Sequence, residues 1–241
     1  MNFIKVNIKS EDPFDFEIKH FLNSKLWNDY QLKEDVREAL INIANEFIDF
    51  LKLEITPKDI QLTGSSANFN YTKYSDIDLH LLFDFSEIDE NEELVEEFLR
   101  SKKALWNKNH QITIKEYEVE IYPQSVSEEH YSTGVYSILN DKWVVKPVDG
   151  SKDPQINIEN VKNKVHSLVS EIDQQEEEPD LDRASRIKKK ILKMRRGGLE
   201  EGGEYSIENL TFKVLRRIGY LKKLNKILNA EYDKKFSLQN Q

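Results

Sequence analysis

The chain has 241 residues, 38% of them hydrophobic and 33% charged, with no cysteine and a formal net charge of −9. That length and apolar share suffice for a real core, while the lack of cysteine excludes disulfides and cysteine-built zinc sites. The acidic balance argues against a general, sequence-blind nucleic-acid binder, but not against a local basic patch or an anionic substrate that brings its own cations.

The opening residues, MNFIKVNIKSEDPFDF, contain no long apolar run, and no later stretch is long enough to cross a bilayer. The expectation is a soluble, cytoplasmic protein with no membrane partner. Phe3 to Ile8 alternates weakly, as an edge strand would, and Asp15 to Trp27 reads as a helix entered after Pro13. Gln31 to Leu51 repeats Leu32, Val36, Leu40, Ile43, Phe47 and Leu51 at helical spacing, and Thr56-Pro57 interrupts helix. Ile60 to Thr63 reads as a short strand running into Gly64-Ser65-Ser66. Ser75 to Phe85 alternates more clearly: Ile77, Leu79, Leu81, Phe83 and Phe85 fall on one face, and Asp76, Asp78, His80 and Asp84 on the other with Leu82. An acidic amphipathic helix follows over Glu87 to Lys103, then strands over Ile112 to Ile114 and Tyr117 to Tyr122. Val135 to Leu139 and Trp143 to Lys146 predict a hairpin around Asn140-Asp141.

Past Asp153 the pattern becomes helical, over Ile156 to Gln175, Leu181 to Arg196 and Ser206 to Ala230. The pairs Gly197-Gly198 and Gly202-Gly203 are expected to break the run between the last two. The reading is an α+β core over 1–153 with N-terminal helices, followed by a helical C-terminal region over 154–241.

The chemistry concentrates between Leu62 and Phe85, in LTGSSANFNYTKYSDIDLHLLFDF. Asp76 and Asp78, two apart on a strand, point the same way and lie roughly 7 Å apart at Cα. Two carboxylates in one place repel unless a cation intervenes, and hard divalent cations take one or two carboxylates together with substrate phosphates. Taken alone, alternating aspartates also decorate ordinary solvent-facing strands. Gly64 lets backbone approach a phosphate closely, and Ser65 adds a hydroxyl and an N–H; a plain capped turn also uses these residues.

Together, Gly-Ser, a spacer of about ten residues and an apolar-flanked Asp-x-Asp resemble the polymerase β-like nucleotidyltransferase superfamily. The family also needs a third carboxylate on a neighbouring strand. Glu120 in Tyr117-Glu118-Val119-Glu120-Ile121-Tyr122 is the choice, with Glu118 on the same face as the alternative. Aspartate is commoner than glutamate there in the superfamily. The segments KLWNDYQLKEDVREAL, SDIDLHLLFDF, VEIYPQ, STGVYSILNDKW and EYSIENLTFKVLRRIGY further resemble uncharacterised bacteriophage-encoded nucleotidyltransferase-domain proteins, which would place the chain in a host cytoplasm.

The resemblance implies a polymerase β-like fold and a role for each residue. Gly64, Ser65 and Ser66 hold the β- and γ-phosphates of a nucleoside triphosphate, with Lys73 in the following loop near the triphosphate or base. Asp76, Asp78 and Glu120 bind Mg²⁺ or Mn²⁺, and Glu120 also faces the acceptor hydroxyl. The acceptor class stays open among RNA, protein and small molecules. Two other readings stay beside this one: a catalytically silent nucleotide sensor, and an RNA-binding protein using the basic run Arg183 to Arg196, with the acidic EIDQQEEEPDLD before it as a neutralising partner. His80 reads as a hydrogen-bonded sheet residue, Asp84 as a cap, and His110, His130 and His166 lack ligand spacing for zinc.

Overall fold

The apolar residues of Asp15 to Trp27 predict a helix, but the computed structural model, which describes residues 12–16, 18–128, 132–148 and 156–238, shows turns there instead. Local side-chain bonds and tertiary anchors win over helical spacing. The Asn23 side chain accepts from Lys25 N at 3.0 Å, and its carbonyl accepts from both Leu26 and Trp27. Lys19 N donates to Phe69 O at 2.7 Å. Leu22, Leu26 and Trp27 are buried all the same. The predicted strand Phe3 to Ile8 and the histidine His130 lie outside the described residues.

A two-residue strand, β1 (Trp27–Asn28), pairs antiparallel with β2 (Gln31–Leu32) through Asp29 at φ 50°. The helix expected from Gln31 therefore begins later, as α1 (Glu34–Leu51). Its buried stripe, Val36, Leu40, Ala44, Phe47 and Leu51, has the spacing of one helical face.

The next strands are β3 (Asp59–Thr63) and β4 (Ile77–Phe83). A turn at Phe85–Glu87, in which the Asp84 carboxylate accepts from Ser86 N, delays the following helix to α2 (Glu92–Asn109). Then come β5 (Thr113–Ile114), β6 (Tyr117–Ser125), β7 (Val135–Ser137) and β8 (Lys142–Val145). Six strands form one sheet in the order β5-β6-β4-β3-β7-β8. β4 and β6 run parallel, joined across α2, and every other pairing is antiparallel. Parallel neighbours require such a crossover.

One face of this sheet is apolar. Ile60, Leu62, Ile77, Leu79, Leu81, Phe83, Val119 and Ile121 are buried in a single core with α1 and with Val95, Leu99 and Trp106 of α2. Phe47 meets Trp106 edge-on, with ring centroids 5.6 Å apart. Strand alternation sends the intervening residues, Asp78, His80, Glu120 and Tyr122 among them, to the opposite face. The core thus fixes the register that the polar face displays.

The chain divides into two compact units, one spanning Phe16–Asp153 and the other Pro154–Gln241 with residues 12–15. The second holds α3 (Ile158–Glu177), α4 (Leu181–Gly202), α5 (Ile207–Arg217) and α6 (Tyr220–Phe236). Side chains of Asn157, Asp180 and Ser206 cap the first three of these helices.

Two expectations fail here for identifiable reasons. Helix α4 runs straight through Gly197-Gly198. A Cβ on Gly198 would meet Glu208 Cβ at 2.4 Å and Ser206 Oγ at 2.8 Å, so this glycine serves close packing at the start of α5. The segment expected as one helix from Ser206 to Ala230 is cut at Gly219, whose φ is 82°. The architecture as a whole is the expected α+β arrangement, a mixed sheet with flanking helices followed by a helical region. Among the described residues, no helix is long and apolar enough to cross a membrane.

Candidate active site

β3 ends at Thr63, and Gly64 turns the chain at φ 70° into a four-residue turn, Gly64–Ala67. This is too short to act as an α-helix N-terminus, so whatever the turn offers an anion comes from individual N–H and hydroxyl groups. Gly64 has two reasons to be glycine. Its φ lies in the left-handed region, and a Cβ there would sit 2.0 Å from Asp78 Oδ2. The Asp78 carboxylate thus packs directly against the turn.

The turn is clamped from two sides. Ser65 Oγ donates to Ser75 Oγ at 2.8 Å, and Ser75 Oγ in turn accepts from Thr72 N at 2.9 Å. Ser66 is buried and donates its hydroxyl to Asp76 O at 2.5 Å. Gly64 N donates to Ser132 Oγ at 3.3 Å, and Ser132 Oγ donates to Gly134 O at 2.8 Å. A Cβ on Gly134 would stand 2.1 Å from Ala67 O, so this glycine too permits close approach. Ser75, Ser132 and Gly134 escaped sequence reading as site residues. The Ser-Thr-Gly run before β7 carried a signal of small, hydrogen-bonding residues next to a strand, but nothing in one sequence ties it to Gly64.

Across the sheet, Asp78 sits opposite Thr63 on one side and opposite Glu120 on the other. Asp76 precedes β4 by one residue. Asp76, Asp78 and Glu120 each offer a carboxylate oxygen within 4.8 Å of the others, with the aspartates half-buried and Glu120 exposed. Glu118 lies one rung earlier, level with Thr113 of the short strand β5, and is not part of that group. Three carboxylates this close repel one another in water, and their donor set of oxygens alone suits a hard divalent cation such as Mg²⁺.

The next rung of β4 and β6 pairs His80 with Tyr122. The two rings stack at 4.9 Å and 20°, and His80 Nδ1 lies 2.6 Å from Gln124 Oε1. His80 is thus a hydrogen-bonded sheet residue. Lys103 of α2 places Nζ 3.5 Å above the Tyr122 ring. Burial pushes its ammonium below the usual lysine range, while Glu120, Asp78 and Glu128 pull it back. Beyond it, a cleft of about 640 Å³ runs between α2 and β6, lined by Arg100, Lys103, Tyr122 and Glu128 among others.

Lys73 is exposed in the loop before Asp76, with Nζ 5.1 Å from the Tyr74 ring centroid. Phe69 is buried and meets Tyr30 edge-on at 6.5 Å, so it packs rather than presenting a face. Asp84 caps its turn through Ser86, and that hydrogen bond holds its carboxyl below the ordinary aspartate range.

The turn and the three carboxylates fall inside one stretch of sequence with a known likeness. Residues 41–136 match the family model of the nucleotidyltransferase domain. The matched stretch contains Gly64, Ser65, Asp76, Asp78 and Glu120, and also Ser75, Ser132 and Gly134. It begins within α1 and ends within β7, so it takes in the polar rung, both of its flanking strands and the crossover helix. No curated protein and no solved structure matches the chain.

Proposed function

We propose that this protein transfers a nucleoside monophosphate from a nucleoside triphosphate to an acceptor hydroxyl, releasing pyrophosphate. One observation carries the reading: three carboxylates converge beside a tightly clamped Gly-Ser turn, within a stretch that matches the nucleotidyltransferase domain. In this reading the core expected over 1–153 is the transferase, and 154–241 is its helical companion.

The residues divide the work. The turn Gly64-Ser65-Ser66 holds the β- and γ-phosphates. Ser66 contributes by its buried hydroxyl, which fixes the turn to Asp76 O. Lys73 reaches toward the triphosphate from its exposed loop. Asp76, Asp78 and Glu120 hold Mg²⁺ or Mn²⁺, whose charge would stabilise the attacking and leaving oxygens. Glu120 orients the acceptor hydroxyl, which comes from the β6 side, where the cleft beside Lys103 and Tyr122 opens. The acceptor hydroxyl gives its proton to Glu120 as its oxygen attacks the α-phosphorus, the bond to the bridging oxygen breaks, and the departing pyrophosphate leaves on the Gly-Ser side. The protein's contribution is position and charge. Residence in a phage-infected host cytoplasm belongs to the same proposal and rests on the sequence resemblance.

The test is label transfer. Purified protein is incubated with each α-³²P-labelled nucleoside triphosphate and Mg²⁺ or Mn²⁺, with RNA, protein extract, small hydroxylated molecules or no acceptor. An Asp76→Asn/Asp78→Asn chain runs alongside. Transfer by the wild type alone is the expected result, and the labelled fraction names the acceptor class. Tight nucleotide binding with no transfer under any condition would replace the enzyme by a nucleotide sensor.

A further inference from the structure

The sequence offers the acidic EIDQQEEEPDLD as a neutralising partner for the basic run of α4, and the structure engages much of it elsewhere. Glu171 meets Lys190 at 2.7 Å, while Asp173 and Glu176 meet Lys223 of α6, each at 2.7 Å. Asp180 caps α4 by accepting from Arg183 N at 2.6 Å. Other cations on the flanks of α4 are also used inside the helical unit. Arg183 donates to Gln174 Oε1 at 2.6 Å, and the Arg195 guanidinium lies 4.2 Å from the centre of the Phe212 ring.

Four cations of α4 are placed differently. Arg186, Lys189, Lys193 and Arg196 are all exposed. They follow one another at three, four and three residues, the spacing that lines side chains up along one helix face. Ala184, Ile187, Ile191 and Gly198 occupy the opposite, buried face. At the helical rise the row is about 15 Å long. None of the four forms a hydrogen bond, ion pair or ring contact among the described residues. Asp182 stands one turn before the row and Glu200 one turn after it, and neither pairs with it among the described residues. The row is therefore a bounded line of like charges, which disfavours the helix unless an anion lies along it.

The shape of the row selects the anion. A compact oligophosphate meets one end of such a line and leaves the rest unanswered. An extended acidic peptide points alternate carboxylates to opposite sides. A bilayer needs an apolar face beside the cations, and the apolar face of α4 is already packed inside the unit. A nucleic-acid backbone carries one charge per nucleotide along a line, and guanidinium forks suit its phosphates.

We propose that Arg186, Lys189, Lys193 and Arg196 form a docking surface for the backbone of an RNA strand. The contact with a backbone rests on the row itself, whereas the choice of RNA rests on the transferase reading, in which RNA is one of the open acceptor classes. None of the four residues belongs to the matched stretch.

The test follows a fluorescent single-stranded RNA by anisotropy, with the full chain in EDTA so that no divalent cation bridges the carboxylates to phosphate. Lys189→Gln/Lys193→Gln removes the middle of the row. Lys188→Gln/Lys222→Gln removes two exposed charges that lie off it. Four phosphate contacts predict that wild-type and control affinity fall about 50-fold between roughly 50 and 200 mM salt, and two contacts predict about sevenfold for the row variant. In a label-transfer assay with RNA as acceptor, the row variant should raise KM for RNA and leave kcat unchanged. RNA binding with these salt slopes but no transfer to any acceptor upholds the row and sinks the transferase reading. Transfer to a protein or small molecule with no RNA binding does the reverse. Equal affinity and slope in wild type and row variant overturn the proposal. So does tighter binding of single-stranded DNA, polyglutamate or anionic phosphatidylglycerol vesicles than of RNA.

Discussion

The carboxylate rung of the sheet and the ion pairs of the helical unit handle charge in opposite ways. In the sheet, register sets Asp78 level with Glu120 on a backbone ladder that no side chain can easily alter, and Asp76 joins them from just before β4. In the helical unit, opposite charges come together through helix packing: Lys223 with Asp173 and Glu176, and Lys164 with Glu208. Of these two arrangements, the rung alone leaves like charges facing one another, which folding by itself would not favour. The difference lies in what each can release. A ladder position moves only if the sheet slips, whereas a long basic side chain can swing away from its neighbours. The sheet should therefore behave as a rigid site and the helical unit as an adaptable one.

The largest expected break in this contrast is Asp78→Asn. Transfer should fall by at least about 100-fold, the upper range for residues that merely support a metal ligand. Mg²⁺ or Mn²⁺ should raise the melting temperature of the wild type but not of the variant. A variant with wild-type turnover would sink the site assignment. Next comes Gly64→Ala, which forces an L residue to φ 70° and drives its methyl group into Asp78 Oδ2. The backbone strain alone costs about 1–2 kcal/mol, and the displaced carboxylate should weaken Mn²⁺ binding, read by calorimetry. If Gly64→Ala bound Mn²⁺ normally, the contact between turn and rung would carry no function.

Smaller effects separate the two units. Gly198→Ala should destabilise the protein by about 1–3 kcal/mol through overpacking against Glu208 and Ser206, with Mn²⁺ affinity unchanged. Its neighbour supplies the control. Gly197 has open space where a Cβ would go, so Gly197→Ala should add about 0.5–1 kcal/mol by helix propensity. Chemical denaturation reads both, and similar signs for the two glycines would contradict the packing account.

The glycine pairs also mark where the sequence was legible. A glycine that breaks a helix and a glycine that lets two helices touch look alike in one dimension. Gly197-Gly198 reads as a break and is continuous helix, while Gly219 reads as helix and is a break. The sheet was far more readable, because alternation over Ser75 to Phe85 has a period of two and one buried face. Its core residues and the placement of Asp78 followed from that period. The neighbour of Asp78 did not: Glu118 and Glu120 have the same flanks, and only the parallel register brings Glu120 level with it. The segment Asp15 to Trp27 misled for a third reason, since its apolar residues are buried by turns held from Asn23 and Phe69. Ser132 and Gly134 were invisible because their relation to Gly64 is purely spatial.

The parallel pairing of β4 with β6 also sets an order in time. Asp76 and Asp78 arrive together, carried by an antiparallel pair whose strands are close in sequence. Glu120 comes level with them only after the chain has passed through α2 and β5 and closed a long crossover. Non-local pairings of that kind form slowly. A divalent cation that needs all three oxygens is therefore a reporter of the final step: during refolding, its capture should lag behind the appearance of secondary structure. Such a cation should also favour β6 in place, because whatever binds the finished sheet and not its precursors favours completion.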